Sequence, residues 1–177
     1  MKKVIIYSIA FLSVLACTNK SVEKPEVVVE EGPVSRTVYL VRHAEKVEDG
    51  SDNDNPDLTA EGLERARSLA TVLSDKNITK VLSTDFTRTK ATAQPTAVVT
   101  RSAIELYDHK DFSTVDTYLN AFPRANFLIV GHSNSTPSLA NHLLGEEKYE
   151  QLDHYEYDKV FIIEMEGGST SSMIFTY

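Results

Sequence analysis

Two runs of apolar and β-branched residues end abruptly at histidines. Residues 37–41 (Thr-Val-Tyr-Leu-Val) run into Arg42-His43, and residues 126–130 (Asn-Phe-Leu-Ile-Val) run into Gly131-His132. A run that is apolar without alternation is the pattern of a strand covered on both faces. A shorter run, 80–83, is followed by Thr84-Asp85-Phe86-Thr87-Arg88. Strands of this kind belong in the middle of a parallel sheet, whose ligands bind beyond the carboxyl ends of the strands. The basic residues at the three ends are therefore expected on one rim, although they lie far apart in the chain.

The segments between the runs read as helices. Thr59 offers an N-cap with Glu61 in the first turn, and Leu63, Ala66, Ala70 and Leu73 fall at helical spacing on one face. Asp85 is expected to cap the next helix, whose first turn holds Arg88 and which Pro95 should break or restart. Residues 103–106 form a weak strand candidate and 115–122 a helix. A further helix starts near Pro137 and stops at Gly145. Residues 159–165 and 171–175 are closing strands joined at Gly167-Gly168, a hairpin signal. The expected class is α/β in three layers: a mainly parallel sheet, helices on both faces, and an antiparallel C-terminal edge.

The chemistry of the rim follows from the residue types. A phosphomonoester dianion needs fixed positive charge in planar, bidentate form, which Arg42 and Arg88 supply. A neutral imidazole with one nitrogen held by a backbone carbonyl is a competent in-line nucleophile, the role expected of His43. His132, if protonated, stabilises charge developing opposite. The leaving oxygen also needs a proton donor nearby.

With these strings the chain resembles the histidine phosphatase superfamily, the phosphoglycerate mutase-like fold, over about residues 38–175. Arg42-His43 matches its Arg-His signature, Arg88 its second arginine and Gly131-His132 its second histidine. The resemblance implies a transiently phosphorylated His43, phosphoryl oxygens held by Arg42, Arg88 and His132, and no metal or other cofactor. The signature commonly continues with glycine, where this chain has Ala44 followed by Glu45-Lys46. The family's acid lies in a Leu-x-Glu-like element, whose nearest match is Leu106-Tyr107-Asp108, so Asp108 is the first choice and Glu105 the second. Lid-forming insertions are missing, which favours phosphatase over mutase.

Other polar residues have plainer expectations. Ser133 and Asn134 either donate to phosphate or cap the following helix, with capping favoured. Glu45 and Lys46 either line the mouth or pair at the surface. His109 with Asp111 resembles a fragment of a metal site without a third ligand, and His142 and His154 read as surface residues.

The N-terminus bounds the setting. Lys2 and Lys3 precede an apolar stretch at 4–15, and Val14-Leu15-Ala16-Cys17 resembles the lipobox of bacterial lipoproteins. That stretch is shorter than the ~20 residues needed to span a bilayer, so 1–16 reads as a signal peptide. Cys17 is then the lipidation site, 17–35 a flexible tether, and 36–177 the folded domain. The chain is expected in the bacterial cell envelope, held to the membrane by its lipid on the periplasmic or outer side. Cys17 is the only cysteine, so no intramolecular disulfide forms. A net charge of −8 discourages nucleic acid and points to a local cationic pocket for a small phosphorylated substrate. Hydrolysis of a phosphomonoester is the leading expectation. The alternatives are a lipoprotein that binds a phosphorylated ligand without turning it over, and a phosphatase acting on a phosphorylated protein.

Overall fold

The computed structural model describes residues 33–50 and 53–177; the expected signal peptide, the expected lipidation site Cys17 and most of the expected tether lie outside the described residues. Along the described chain the elements are β1 (Ser35–Arg42), α1 (Ala60–Val72), β2 (Ile78–Ser83), α2 (Thr87–Thr100), β3 (Ile104–Leu106), α3 (Ser113–Ala121), β4 (Asn126–Gly131), α4 (Ser135–Leu144), β5 (Lys159–Glu166) and β6 (Ser169–Thr176). The sheet order is β3-β2-β4-β1-β5-β6. The β2–β3, β2–β4 and β1–β4 pairs are parallel, while β5 and β6 add an antiparallel edge. The expected class therefore holds.

Alternation along the central strands divides the core in two. Val38, Leu40, Phe127 and Ile129 pack with Val115 and Leu119 of α3 and Leu139 and Ala140 of α4. Their neighbours Tyr39, Val41, Leu128 and Val130 pack on the other face with Leu69 of α1 and Ala93 and Ala97 of α2. Both faces of β1 and β4 are thus covered, which is why neither shows a polar alternation. The hairpin between β5 and β6 turns on Gly167 and Gly168, both at positive φ (57° and 87°), as a two-residue turn requires.

Three helix expectations need correction. In α1 the buried face is Gly62, Ala66, Leu69 and Ala70, and Leu63 is 42% exposed. The helix is turned by the backbone approach of Gly62, where an added Cβ would lie 2.2 Å from the Glu45 carbonyl oxygen. Asp85 does not cap α2 but pairs with Lys90 at 2.6 Å. The cap comes from a distant loop, Asn55 Oδ1 accepting the Thr87 N–H at 2.8 Å. Pro95 lies inside an unbroken α2. Buried Thr92, Ala93, Thr96 and Ala97 hold the helix on both sides of it, and this packing outweighs the hydrogen bond that proline cannot donate.

The Gly62 contact presses α1 against the loop that follows His43. Gly62→Ala is therefore expected to cost about 3 kcal/mol through overpacking against backbone. A thermal melt showing no loss of stability would contradict that packing.

Candidate active site

β1 and β4 are neighbours, so their carboxyl ends bring Arg42-His43 and His132 side by side. The His43 N–H continues the ladder to the Gly131 carbonyl at 2.9 Å. The two imidazole rings stand edge to face with centroids 5.5 Å apart. Arg88, in the first turn of α2, reaches the same cleft, of about 360 Å³. Residues spread from 42 to 132 thus meet because three parallel strands end together.

His43 is held as a nucleophile needs to be. Its Nδ1 lies 2.7 Å from the Ala44 carbonyl oxygen, which only accepts, so Nδ1 carries the proton and Nε2 keeps its lone pair. Burial, reinforced by Arg88, Arg42 and His132 and opposed by that hydrogen bond, lowers its pKa to about 3. The ring is neutral at pH 7.

His132 Nε2 lies 3.0 Å from Thr84 Oγ1. Thr89 spends its own hydroxyl hydrogen on the Thr84 carbonyl and receives that of Thr84, so Thr84 Oγ1 is left to accept from His132. Nε2 then carries the proton, and Nδ1 is free to take a second one. Burial, followed by Arg88, His109 and Arg42, lowers the His132 pKa to about 4. In the empty site it is therefore neutral at pH 7.

A bound dianion favours the charged form of His132 and raises its pKa, so binding takes up a proton wherever the empty ring is neutral and the bound ring is charged. Sulfate, which stays a dianion across this range, is expected to bind more tightly as pH falls from 8 to 5.5. The gain approaches about tenfold per unit below the bound-state pKa. Titration calorimetry of His132→Gln should give a flatter slope, and an unchanged slope would remove His132 from the oxyanion contact.

The two arginines are fixed differently. Arg42 is 4% exposed, and its Nη1 donates to the carbonyls of Asp153, His154 and Glu156 at 2.9, 2.9 and 3.2 Å. Its guanidinium carbon lies 4.0 Å from the Tyr157 ring centroid. Arg88 rests over Phe86 at 4.5 Å and donates from Nη1 to the Asp54 carbonyl at 3.3 Å. In both residues Nε is buried without a partner. Buried guanidinium N–H groups are seldom left so, and an oxyanion between them would satisfy both.

The other expected site residues fall as follows. Asp108 is 62% exposed on its side chain and accepts from the Lys110 N–H, and it borders a neighbouring cavity rather than this cleft. Glu105 interacts with Tyr118 of α3. Neither lines the cleft, because the chain after β3 turns so that the next residue, His109, faces it instead. Ser133 and Asn134 line the cleft, and the α4 N-cap Asn134 makes no capping bond with its side chain, so the favoured capping reading gives way. Glu45 pairs with Arg65 at 2.6 Å, while Lys46 lines the mouth and pairs with Glu48 at 2.9 Å. His154 also borders the mouth. Among the described residues no three His, Cys, Asp or Glu side chains gather as a metal site.

Sequence reasoning read His109 only as a metal-site fragment with Asp111 and assigned Thr84 no role in the string that carries Arg88. It missed Tyr157 and the carbonyls around Arg42, since the aim of a side chain and the position of a carbonyl leave no local pattern. A larger cleft of about 500 Å³, lined by Arg36, Arg124, Asn126 and Glu164 among others, opens where the parallel strands begin. It contains none of these groups, and the chemistry argues for the smaller one.

Residues 38–116 match the family described as Histidine phosphatase superfamily (branch 1). No curated protein sequence matches the chain. Among solved structures, the chain is similar to the protein histidine phosphatase SixA complexed with tungstate, at 20% identity and a TM-score of 0.64, covering 79% of this chain and 96% of that one. It is also similar to the alpha-ribazole phosphatase of Shigella flexneri, at 16% identity and 0.59, covering 80% and 96%. The phosphoglycerate mutase of Bacillus anthracis matches at 16% identity and 0.63, covering 81% and 93%.

Proposed function

As a histidine phosphatase superfamily (branch 1) chain by its match over residues 38–116, this protein is, we propose, a phosphatase that works through phospho-His43. The observation that carries the reading is the pair of buried, unpartnered guanidinium N–H groups of Arg42 and Arg88 beside a neutral His43 held by a carbonyl. In the proposed reaction His43 Nε2 attacks phosphorus in line with the leaving group. Arg42 and Arg88 hold the equatorial oxygens, and His132 takes a proton to stabilise the third. Water then cleaves the N–P bond and releases inorganic phosphate. The positive charge comes from the arginines, so chelators are expected to leave activity unchanged.

The test is turnover of aryl phosphates, sugar phosphates and phosphopeptides by the full chain, with trapping of acid-labile phosphohistidine. Absence of both turnover and trapped phosphate would overturn the reading. Small phosphomonoesters are the first substrate class. A phosphorylated protein is the second, supported by a mouth bordered by exposed side chains, Lys46 and His154 among the described residues. One structural neighbour is named as a protein histidine phosphatase, which makes phosphohistidine peptides part of the panel.

Lipidation of Cys17 would hold this domain at a membrane of the bacterial envelope. The protein should then partition into detergent, and Cys17→Ser should move it to the aqueous phase; equal partitioning of the two would remove the anchor.

A further inference from the structure

Protonation of the leaving group is the one requirement of this chemistry for which no carboxylate lines the cleft among the described residues. We propose that His109 is the proton donor, an inference that rests on His43 being the nucleophile. Its imidazole lines the cleft with Arg42, His43, Arg88 and His132. The ring lies 5.2 Å from that of His132 and 5.9 Å from that of Phe86, centroid to centroid, which sets it on the wall of the phosphate site. Asp108 Oδ1 lies 3.7 Å from Nδ1, so the carboxylate turns that edge of the ring toward itself and Nε2 occupies the opposite edge. Asp108 is thus a positioning residue, acting on the site through the histidine beside it. The two turns around this pair are tight: Asp108 and Asp111 form an isolated bridge and Asp108 accepts from the Lys110 N–H.

A proton on the imidazolium of His109 goes to the ester oxygen as the P–O bond breaks and the P–N bond to His43 forms. Neutral His109 then accepts a proton from the water that attacks phospho-His43. The P–N bond breaks, inorganic phosphate leaves, and the imidazolium is restored. Atoms and charge balance with water as the only co-reactant. The groups facing His109 are His132 and Arg88 across the cleft and Asp108 on its own loop.

Two aryl esters of similar shape separate this role from a structural one. Phenolate is a poor leaving group and needs the proton, whereas dinitrophenolate leaves without it. For the full-length protein, His109→Gln should lower kcat/KM for phenyl phosphate about 100-fold and that for dinitrophenyl phosphate less than about threefold. His109→Ala should behave alike, and retained turnover of the dinitrophenyl ester shows that either variant is folded. Equal losses on the two esters, or no loss on either, would overturn the donor role. If instead wild type turns over neither ester and no phosphohistidine forms, it is the phosphatase reading that fails.

Discussion

Replacing His43 with alanine is expected to abolish turnover, by about 10⁴-fold or more, and to remove the acid-labile phosphoprotein formed with substrate. The size follows from the role: the free nitrogen of His132, Nδ1, is the one that takes up the proton stabilising the oxyanion, since its Nε2 hydrogen is committed to Thr84, so His132 does not replace His43 as nucleophile. The loss should come without a loss of fold. His43 is buried, yet among the described residues its side-chain hydrogen bond is to the adjacent carbonyl of Ala44, so truncation breaks no long-range hydrogen bond and removes only ring contacts with His132 and Tyr157. Sulfate should still bind, because Arg42, Arg88 and His132 remain. A His43→Ala protein with near wild-type kcat/KM would dismiss the phosphohistidine route outright.

The arginines give the second large effect, and they should part company. Either change to alanine removes a donor to developing charge and should cost about 10²–10³-fold in kcat. Arg42→Ala should also destabilise the protein by about 2 kcal/mol, because three carbonyls lose their charged donor at once. Arg88→Ala should leave the melting temperature nearly unchanged, its one backbone contact being a 3.3 Å bond to an exposed loop. Lysine should rescue neither fully, since it cannot keep one donor in the wall and offer another to phosphate. Kinetics and thermal melts on the four variants decide the matter; equal melting behaviour of Arg42→Ala and Arg88→Ala would mean that the carbonyl cage does not stabilise the fold.

What could be read from the chain was what periodicity and strand ends encode. The buried runs located β1, β2 and β4, and with them the rim on which Arg42, His43, Arg88 and His132 meet. Local patterns failed where tertiary contacts decide. Asp85 has the chemistry of a cap, but Asn55, 32 residues away, holds the Thr87 N–H. Pro95 reads as a break, but the face on either side of it is packed too well to yield. Asp108 matched a motif by one position, and a single residue of rotation after β3 put His109 in the cleft instead. The 153–157 segment carries no motif, because it contributes carbonyl oxygens, which every residue has.

That segment also makes the site a late product of folding. Arg42 leaves the first strand and is clasped by carbonyls 111, 112 and 114 residues further on. A chain that has emerged only as far as Gly145 already contains His43, Arg88 and His132, yet nothing anchors the buried cation between them. Such long-range closure is slow and comes near the end of assembly. Partial chains are therefore expected to show no fractional activity: the phosphate chemistry switches on with the arrival of the C-terminal strands, in one step.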